Sequence, residues 1–576
     1  MTSDLNHIQR ISPPATSSNH GDAPVESARI DSAARELTGS EILWESVIEH
    51  GVDVVFGYPG GAIMPAYDAL PKYPQLHHVL VRHEQGAAHM ADGYARASGK
   101  VGVCVATSGP GATNLTTGIA NAMLDSIPMV AITGQVGSSL LGSDAFQEID
   151  ITGVTLPITK HNFLVTQADE IAATIKQAFH IAAEGRPGPV VVDITKDALQ
   201  KTALYRWDPT PARMRGFRAK RLPVPEQIGR AIEMIHAAKR PMIFAGQGVI
   251  QAGATSLLLE FVRRSDIPVA ATLLGLGGFP ASHPRALGMM GMHGEAWVNK
   301  AIQESDLIIA LGMRFDDRVT GNLKTYAPNA KKIHVELDPA EVNKNVVVDL
   351  PIIADIKEAL RLLVPNVETR DRSEWLDHIH QLRGDSAVID IQSMSDNGKL
   401  YAAHVIHDLW RITDGKAIIV SDVGQHQMWE AQYYRHDYPR KLITSGGLGT
   451  MGFALPAAIG ARFACPSEEV WVIVGDGGFQ MTQAELQTLT QEGLKVNIAV
   501  INNGYLGMVR QWQEFFYNRR YVSTPMTSPD FVKIAEAHGH LGIRVTQRSE
   551  LRAAVEQARN ASATALIDFR VEQEDS

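Results

Sequence analysis

What most limits how this chain can fold is a series of short, unbroken apolar segments, most of which end in glycine, aspartate or asparagine. They read GVCVATS (102–108), PMVAITG (128–134), PVVVDIT (189–195), PMIFAGQG (241–248), PVAATL (268–273), DLIIALG (306–312), KIHVELD (332–338), AIIVSDVG (417–424), VWVIVGDG (470–477), VNIAVINN (496–503) and ALIDFRV (565–571). Apolar runs without polar alternation suit parallel strands covered by helices on both faces. Helix-like stretches separate them, so the chain reads as α/β rather than all-α or all-β. The first helix is predicted at EILWESVIEHG, where Thr38 and Glu41 have capping-box spacing.

Two composition shifts divide the series. Residues 199–225 carry four prolines and a cluster of Arg and Lys, and residues 365–398 are polar without a clean strand. The reading is three doubly wound parallel-sheet domains over 37–200, 225–365 and 398–576, with linkers at 201–224 and 366–397. A Ser-, Pro-, Asp- and Asn-rich tail, 1–36, precedes them and is expected to be disordered. A length of 576 residues accommodates three large domains. Lys plus Arg number 53 against 63 Asp plus Glu, a net charge of −10, which argues against a nucleic-acid partner. No apolar run approaches the ~18 residues of a membrane span. Two cysteines, Cys104 and Cys465, suit a reducing, cytoplasmic setting.

The most informative motif is Gly475-Asp476-Gly477, at the end of one apolar run, with Asn502-Asn503 ending the next. Ligands bind open α/β sheets at the carboxyl ends of strands. A carboxylate and an amide oxygen are hard donors suited to Mg²⁺, which usually adds phosphate oxygens to a few protein ligands. Glycines let backbone N–H groups approach a diphosphate. GDG alone is a common turn, but the pair on two strand ends reads as a metal–diphosphate clamp and resembles the motif of thiamine-diphosphate enzymes.

Thiamine chemistry also needs a carboxylate against the aminopyrimidine, and Glu84 in RHEQGAAHMADGYARASGK (82–100) offers one. HEQGAAH is not the zinc-protease pattern, because four residues separate Glu84 from His89. SGGLGTMGFALPAAIGA (445–461) supplies Gly449 and Met451 ahead of a helix. Together with GYPGGAIMPAYDAL (57–70), TSGPGATNL (107–115), DAFQE (144–148), GRPGPVVVDITKD (185–197), GMHG (291–294), RFDDRVTGN (314–322), VGQHQMW (423–429), GDGGFQMT (475–482) and NNGYLGMVRQWQ (502–513), these stretches resemble the acetohydroxyacid (acetolactate) synthase catalytic subunits over about 38–575.

The resemblance implies a pyrimidine-binding first domain, a FAD-binding central domain and a diphosphate-binding third domain. Glu84 would activate the aminopyrimidine, Gly449 would offer its carbonyl to that ring, and Met451 would support the bent cofactor. Asp476, Asn503 and the carbonyl of Tyr505 would hold Mg²⁺. Val423, Gly424, Gln425, His426, Gly477, Gly478, Leu506, Gly507, Met508 and Val509 would surround the diphosphate end. FAD would lie against Arg186, Thr272, Leu273, Met292, His293, Arg314, Glu336, Asp338 and Asp355, with no net redox role. Phe146, Gln147, Lys196, Asp317, Arg318 and Trp512 would line the substrate channel, Arg318 taking a carboxylate and Trp512 walling the second-substrate pocket. Gly137 stands where many relatives carry proline, a departure expected to loosen the loop 135–143.

The implied reaction decarboxylates pyruvate and joins the two-carbon fragment to pyruvate or 2-oxobutyrate, giving acetolactate or acetohydroxybutyrate. A simple decarboxylase on the same fold would want a proton donor in the loop 137–142, which here reads GSSLLG. A pyruvate oxidase stays open as the alternative, and a flavin-binding module without catalysis would leave Glu84, Asp476 and Asn503 idle. The resemblance further implies a homodimer or dimer of dimers with sites between chains, and a small regulatory subunit.

Overall fold

The structure is a computed structural model that describes residues 34–212, 214, 221–385 and 397–573. The chain enters through strand β1 (Arg35–Thr38). The first sheet is built from β2 (Val54–Gly57), β3 (His77–Leu80), β4 (Gly102–Ala106), β5 (Met129–Gln135), β6 (His161–Val165) and β7 (Pro189–Thr195). Its spatial order is β3-β2-β4-β5-β7-β6, and every pairing is parallel. Strand β8 (Thr202–Tyr205) then returns to pair antiparallel with β1.

The central sheet takes β9 (Pro241–Ala245), β10 (Val269–Ala271), β11 (Ala286–Met289), β12 (Leu307–Leu311), β13 (Lys331–Glu336) and β14 (Leu350–Ile353), in the order β11-β10-β9-β12-β13-β14. The third sheet takes β15 (Ile418–Ser421), β16 (Leu442–Thr444), β17 (Val470–Gly475), β18 (Asn497–Asn502), β19 (Leu541–Val545) and β20 (Ala565–Arg570), in the order β16-β15-β17-β18-β20-β19. Both sheets are parallel throughout, so the three α/β domains read from the sequence are present. First and third sheets share one strand order. The central order is that of dinucleotide-binding folds. In each sheet the order reverses beside β2 and β4, β9 and β12, or β15 and β17. Such reversals open a crevice at the carboxyl edge.

The capping box at Thr38 is formed: Glu41 N–H donates to Thr38 Oγ1 at 3.3 Å, and Thr38 N–H donates to Glu41 Oε2 at 2.8 Å. Strands β2, β6, β11, β14, β16 and β19 were not among the apolar runs read from the sequence, and three segments differ from its tail and linker boundaries. Arg35 and Glu36, expected in the tail, lie in β1. Strand β8 falls within the stretch read as the first linker. Helix Ser373–Asp385 falls within the second. The β1–β8 ribbon is largely exposed, so no apolar run marks it. The helix carries few apolar residues, but it buries Trp375 and Ile379, and Trp375 Nε1 donates to Pro241 O at 3.1 Å. The first 33 residues of the tail lie outside the described residues.

First and third domains pack helix to helix. An added Cβ at Gly93, on helix Glu84–Ser98, would collide with the Ala457 carbonyl on helix Ala454–Ala464. Gly460 meets the Met90 carbonyl the same way, and one apolar core runs through both domains.

Gly137 does not loosen its loop in the way expected. Its φ of −56° and ψ of 144° are values proline adopts, and Ser138 is anchored to Asp197 through its N–H (2.8 Å) and Oγ (2.7 Å). Among the described residues the Gly137 N–H donates to no backbone acceptor. Gly137→Pro should therefore stabilise the chain by about 0.4–1 kcal/mol, by restricting the unfolded state. Denaturant melts of the two proteins check this, and a lower midpoint for the variant would show that the N–H or the turn geometry is needed.

Candidate cofactor site

At the reversal of the third sheet, β15 runs into Gly424-Gln425-His426, β17 into Asp476 and β18 into Asn503. These strand ends enclose a small cavity of about 50 Å³, which Val423, Gly477, Gly478, Tyr505, Leu506, Gly507, Met508, Val509 and Met451 complete. Asp476 is 1 % exposed and no described Lys, Arg or His pairs with it. Ser528 Oγ donates to its Oδ2 at 3.0 Å, and burial raises its pKa. Asn503 Oδ1 accepts from Tyr505 N–H at 3.0 Å. Burial pushes the His426 imidazole down to about 3, so it is neutral. Its Nε2 faces the Gly475 N–H at 3.3 Å, which places the ring proton on Nδ1. An added Cβ at Gly477 would lie 2.9 Å from Leu506 Cδ2, and one at Gly507 would meet Gln425 Oε1, so a larger residue at either would displace these side chains.

A buried, unpaired carboxylate beside an amide oxygen is the donor set for a hard cation that completes its shell with phosphate oxygens. Among the described residues no group of three or more His, Cys, Asp or Glu gathers into an all-protein metal site. The residues therefore fit a Mg²⁺–diphosphate pair. Sequence reasoning missed Asp422, at the end of β15. Its carboxylate accepts from Val423 N–H (2.9 Å), Gly452 N–H (3.0 Å) and Ala454 N–H (2.9 Å), and burial pushes it up to about 6. It fixes the turn beyond Gly449 and Met451. The only signal was an aspartate at a strand end.

A larger cavity, about 850 Å³, lies where the three domains meet. The central domain lines it with Thr272, Leu273, Met292, His293, Arg314, Asp317, Arg318, Glu336 and Asp355. The first domain contributes Arg186, and the third contributes Gly449, Met451 and Trp512. Gly246 and Gly312, just past β9 and β12, touch so closely that a Cβ on Gly246 would collide with the Gly312 carbonyl. Glu336, ending β13, accepts from Leu337 N–H (2.8 Å) and Asp338 N–H (3.1 Å), and burial pushes it up to about 7. A buried carboxyl at a strand end beside a chain reversal suits a ribose hydroxyl, so the residues fit a dinucleotide such as FAD. Asp338 does not line the cavity; with Glu341 it pairs to Arg186, at 3.1 and 2.7 Å. Asp355 caps helix Ile356–Leu363. The Arg318 guanidinium stands 5.7 Å from the Trp512 ring centre, with Met292 Sδ at 3.7 Å.

The remaining sequence-named residues form a separate cluster at the carboxyl edge of the first sheet. Glu84 Oε2 accepts from Asn114 Nδ2 at 2.9 Å, and Glu84 Oε1 lies 3.3 Å from where a Cβ on Gly111 would sit. Gln147, at φ +60°, packs on Gly109 at the other end of the same turn. Phe146 is 89 % exposed, and Lys196 opens the short helix after β7. Glu84, Phe146, Gln147 and Lys196 line neither cavity of their own chain. Asn114 was not foreseen, being one polar residue in TSGPGATNL.

Comparison with known proteins matches this geometry. Residues 37–154, 228–363 and 422–569 match the N-terminal TPP binding domain, the central domain and the C-terminal TPP binding domain of thiamine pyrophosphate enzymes. The chain is 49% identical to the acetolactate synthase large subunit of Mycobacterium tuberculosis, covering 94% of this chain and 89% of that one. It is 49% identical to the large subunit of Corynebacterium glutamicum, over 95% and 89%. It is 47% identical to the isozyme 3 large subunit of Escherichia coli, over 91% and 93%. The chain belongs to the acetolactate synthase large-subunit family. The family resemblance read from the motifs is borne out, and so is thiamine diphosphate as cofactor.

The Glu336 carboxyl has a pH consequence. Its folded pKa, about 7, lies above the ordinary 4.5, so folding favours the protonated form. The cofactor-free chain should lose stability as pH rises from about 4.5 to about 7, by on the order of 3 kcal/mol. Glu336→Gln should flatten that slope in denaturant melts; an unchanged slope would show that Glu336 titrates normally.

Proposed function

We infer that this chain is the catalytic subunit of an acetolactate synthase. It condenses pyruvate, after decarboxylation, with a second 2-oxoacid, pyruvate or 2-oxobutyrate, for branched-chain amino acid synthesis. What carries the reading is Asp476, buried and unpaired, beside Asn503 at the third-sheet reversal in a chain of this family.

Bound thiamine diphosphate would supply the electron sink for decarboxylation. The chain's own residues do the rest. Asp476, Asn503 and the Tyr505 carbonyl would hold Mg²⁺, and Gly424, Gln425 and His426 would hold the diphosphate. Met451 and Gly449 support the cofactor from the loop that Asp422 fixes. Glu84 holds and returns a proton at the aminopyrimidine. Arg318 binds the carboxylate of the second 2-oxoacid, and Trp512 sets the pocket for its alkyl group. Gln147, Phe146 and Lys196 close the channel and exclude water. Arg186, Glu336 and their neighbours hold FAD, which has no redox turn in a reaction without net oxidation.

That Glu84 lines neither cavity of its own chain supports a homodimer, or dimer of dimers, whose sites take one half from each chain. Exposed Phe515, Phe516 and Val522 beside Trp512, and exposed Phe146, support burial of these surfaces by a partner. The relatives' designation as large subunits supports a small regulatory partner. Among the described residues no helix is long and apolar enough to cross a membrane. Both cysteines are free, which fits a cytoplasmic enzyme.

Complementation tests the reading and the shared site together. Glu84→Ala and Asp476→Ala chains should each be inactive in acetolactate formation from pyruvate. After random subunit exchange activity should return to about a quarter of wild type, because half the dimers are mixed and half their sites are intact. Exchange confirmed by mass without recovery would mean that each site is built within one chain. Separately, Trp512→Leu should shift product choice away from 2-oxobutyrate by roughly ten-fold or more, since one methylene contact is worth about 1–3 kcal/mol. An unchanged ratio in a competition assay would put the pocket elsewhere.

A further inference from the structure

All three domains meet at the corner Leu124–Ser126, just past helix Thr116–Leu124 of the first domain. Asp125 is buried there, 1 % exposed. Its carboxylate accepts from Gly446 N–H (3.0 Å) and Gly447 N–H (2.7 Å) of the third domain and from Arg96 (2.8 Å) of its own. Arg96 is also paired with Asp92 and donates to Thr444 O at 2.9 Å. Asn121, one turn back, accepts from Ser445 Oγ and Thr450 Oγ1, at 2.5 and 3.1 Å. First-domain side chains thus hold the stretch 444–450, which contains Gly449 and leads into Met451.

The next residue faces the other way. Ser126, at φ +56°, accepts from Arg186 Nε through its Oγ (2.8 Å) and from Gln251 Nε2 through its carbonyl (2.7 Å). Arg186 and Gln251 line the larger cavity, as do Leu124 and Ser126 themselves. Two adjacent residues therefore tie the wall of the flavin cavity to the loop that supports the thiamine ring. Moving Asp125 would leave the Gly446 and Gly447 N–H groups and the buried Arg96 guanidinium short of an acceptor.

We propose that Asp125 is a positioning residue that sets the 445–451 loop for thiamine diphosphate and, through Ser126, makes occupancy of the flavin cavity and of the thiamine site depend on each other. This rests on the cofactor assignments above. Linkage makes the dependence reciprocal: each cofactor tightens the other by the same factor.

The test uses the full-length chain with saturating Mg²⁺. Thiamine diphosphate is titrated with and without FAD, and FAD with and without thiamine diphosphate, following the fluorescence of Trp429 in the smaller cavity and of the flavin. In the wild type each cofactor should lower the Kd of the other by about five-fold or more. Asp125→Asn should weaken thiamine diphosphate roughly ten-fold and bring the mutual factor to about one. A merely structural role would lower the melting temperature but leave the mutual factor intact. Where Asp125→Asn does not fold, Ser126→Gly removes the hydroxyl that holds Arg186 while the carbonyl bond to Gln251 stays, and glycine accepts the left-handed backbone there. It should bring the mutual factor at least halfway to one. Wild-type binding of both cofactors with no mutual effect, or a variant that keeps it, overturns the proposal. Failure of the wild type to bind thiamine diphosphate at all overturns the cofactor reading as well.

Discussion

The close packing of helix Glu84–Ser98 on helix Ala454–Ala464 underlies the rest of this structure. The helices approach until backbone meets backbone, at Gly93 against Ala457 and Gly460 against Met90. Side chains larger than hydrogen at these glycines would separate the helices. The apolar core that runs through the first and third domains would then open to water. It is this contact that brings Asp125 within reach of Gly446 and Gly447, and Glu485 within reach of the Arg82 and His83 N–H groups (3.1 Å each). The loop bearing Gly449 has its shape because of a helix from another domain.

Three sheets with reversals at their carboxyl edges give three crevices, and the chain uses them differently. The third holds a lone buried carboxylate with glycine walls, suited to a metal and a diphosphate. The central one holds glycines and a buried Glu336, suited to a dinucleotide. The first gathers Glu84, Asn114 and Gln147 about the Gly109–Gly111 turn without enclosing a cavity with either of the others. On the proposed reading Glu84 exchanges a proton with the cofactor, and the first crevice then needs another surface against it. The exposed Phe146 at its rim fits that need.

What the sequence made legible follows from how far each signal reaches along the chain. Eleven strands were readable because an unbroken apolar run records burial on both faces residue by residue, whereas short strands such as β2, β6, β11, β14, β16 and β19 were not read. Asp476 and Asn503 were readable because each ends such a run. Asp422, Asn114 and Asp125 were not, though each is as deeply built in. Asp125 meets its partners 321 and 322 positions away, and nothing local distinguishes it from a helix-end aspartate. The β1–β8 ribbon escaped for a related reason: Arg35 pairs with Tyr205 across the whole first domain, and neither strand is apolar enough to stand out.

Asp422, Asp125 and Asp476 show how structural and chemical carboxylates differ when all are buried. Burial costs an ionised group several kcal/mol unless partners replace its water. Asp422 recovers that cost from three backbone N–H groups, and Asp125 from two N–H groups and a guanidinium. Asp476 has Ser528 Oγ and neighbouring backbone, but no cation among the described residues. It is held ready for a positive charge that the described side chains do not supply, and a divalent ion meets that need most directly. The fully satisfied carboxylates are fixed walls. The one with no described cation beside it is where a ligand has energy to gain.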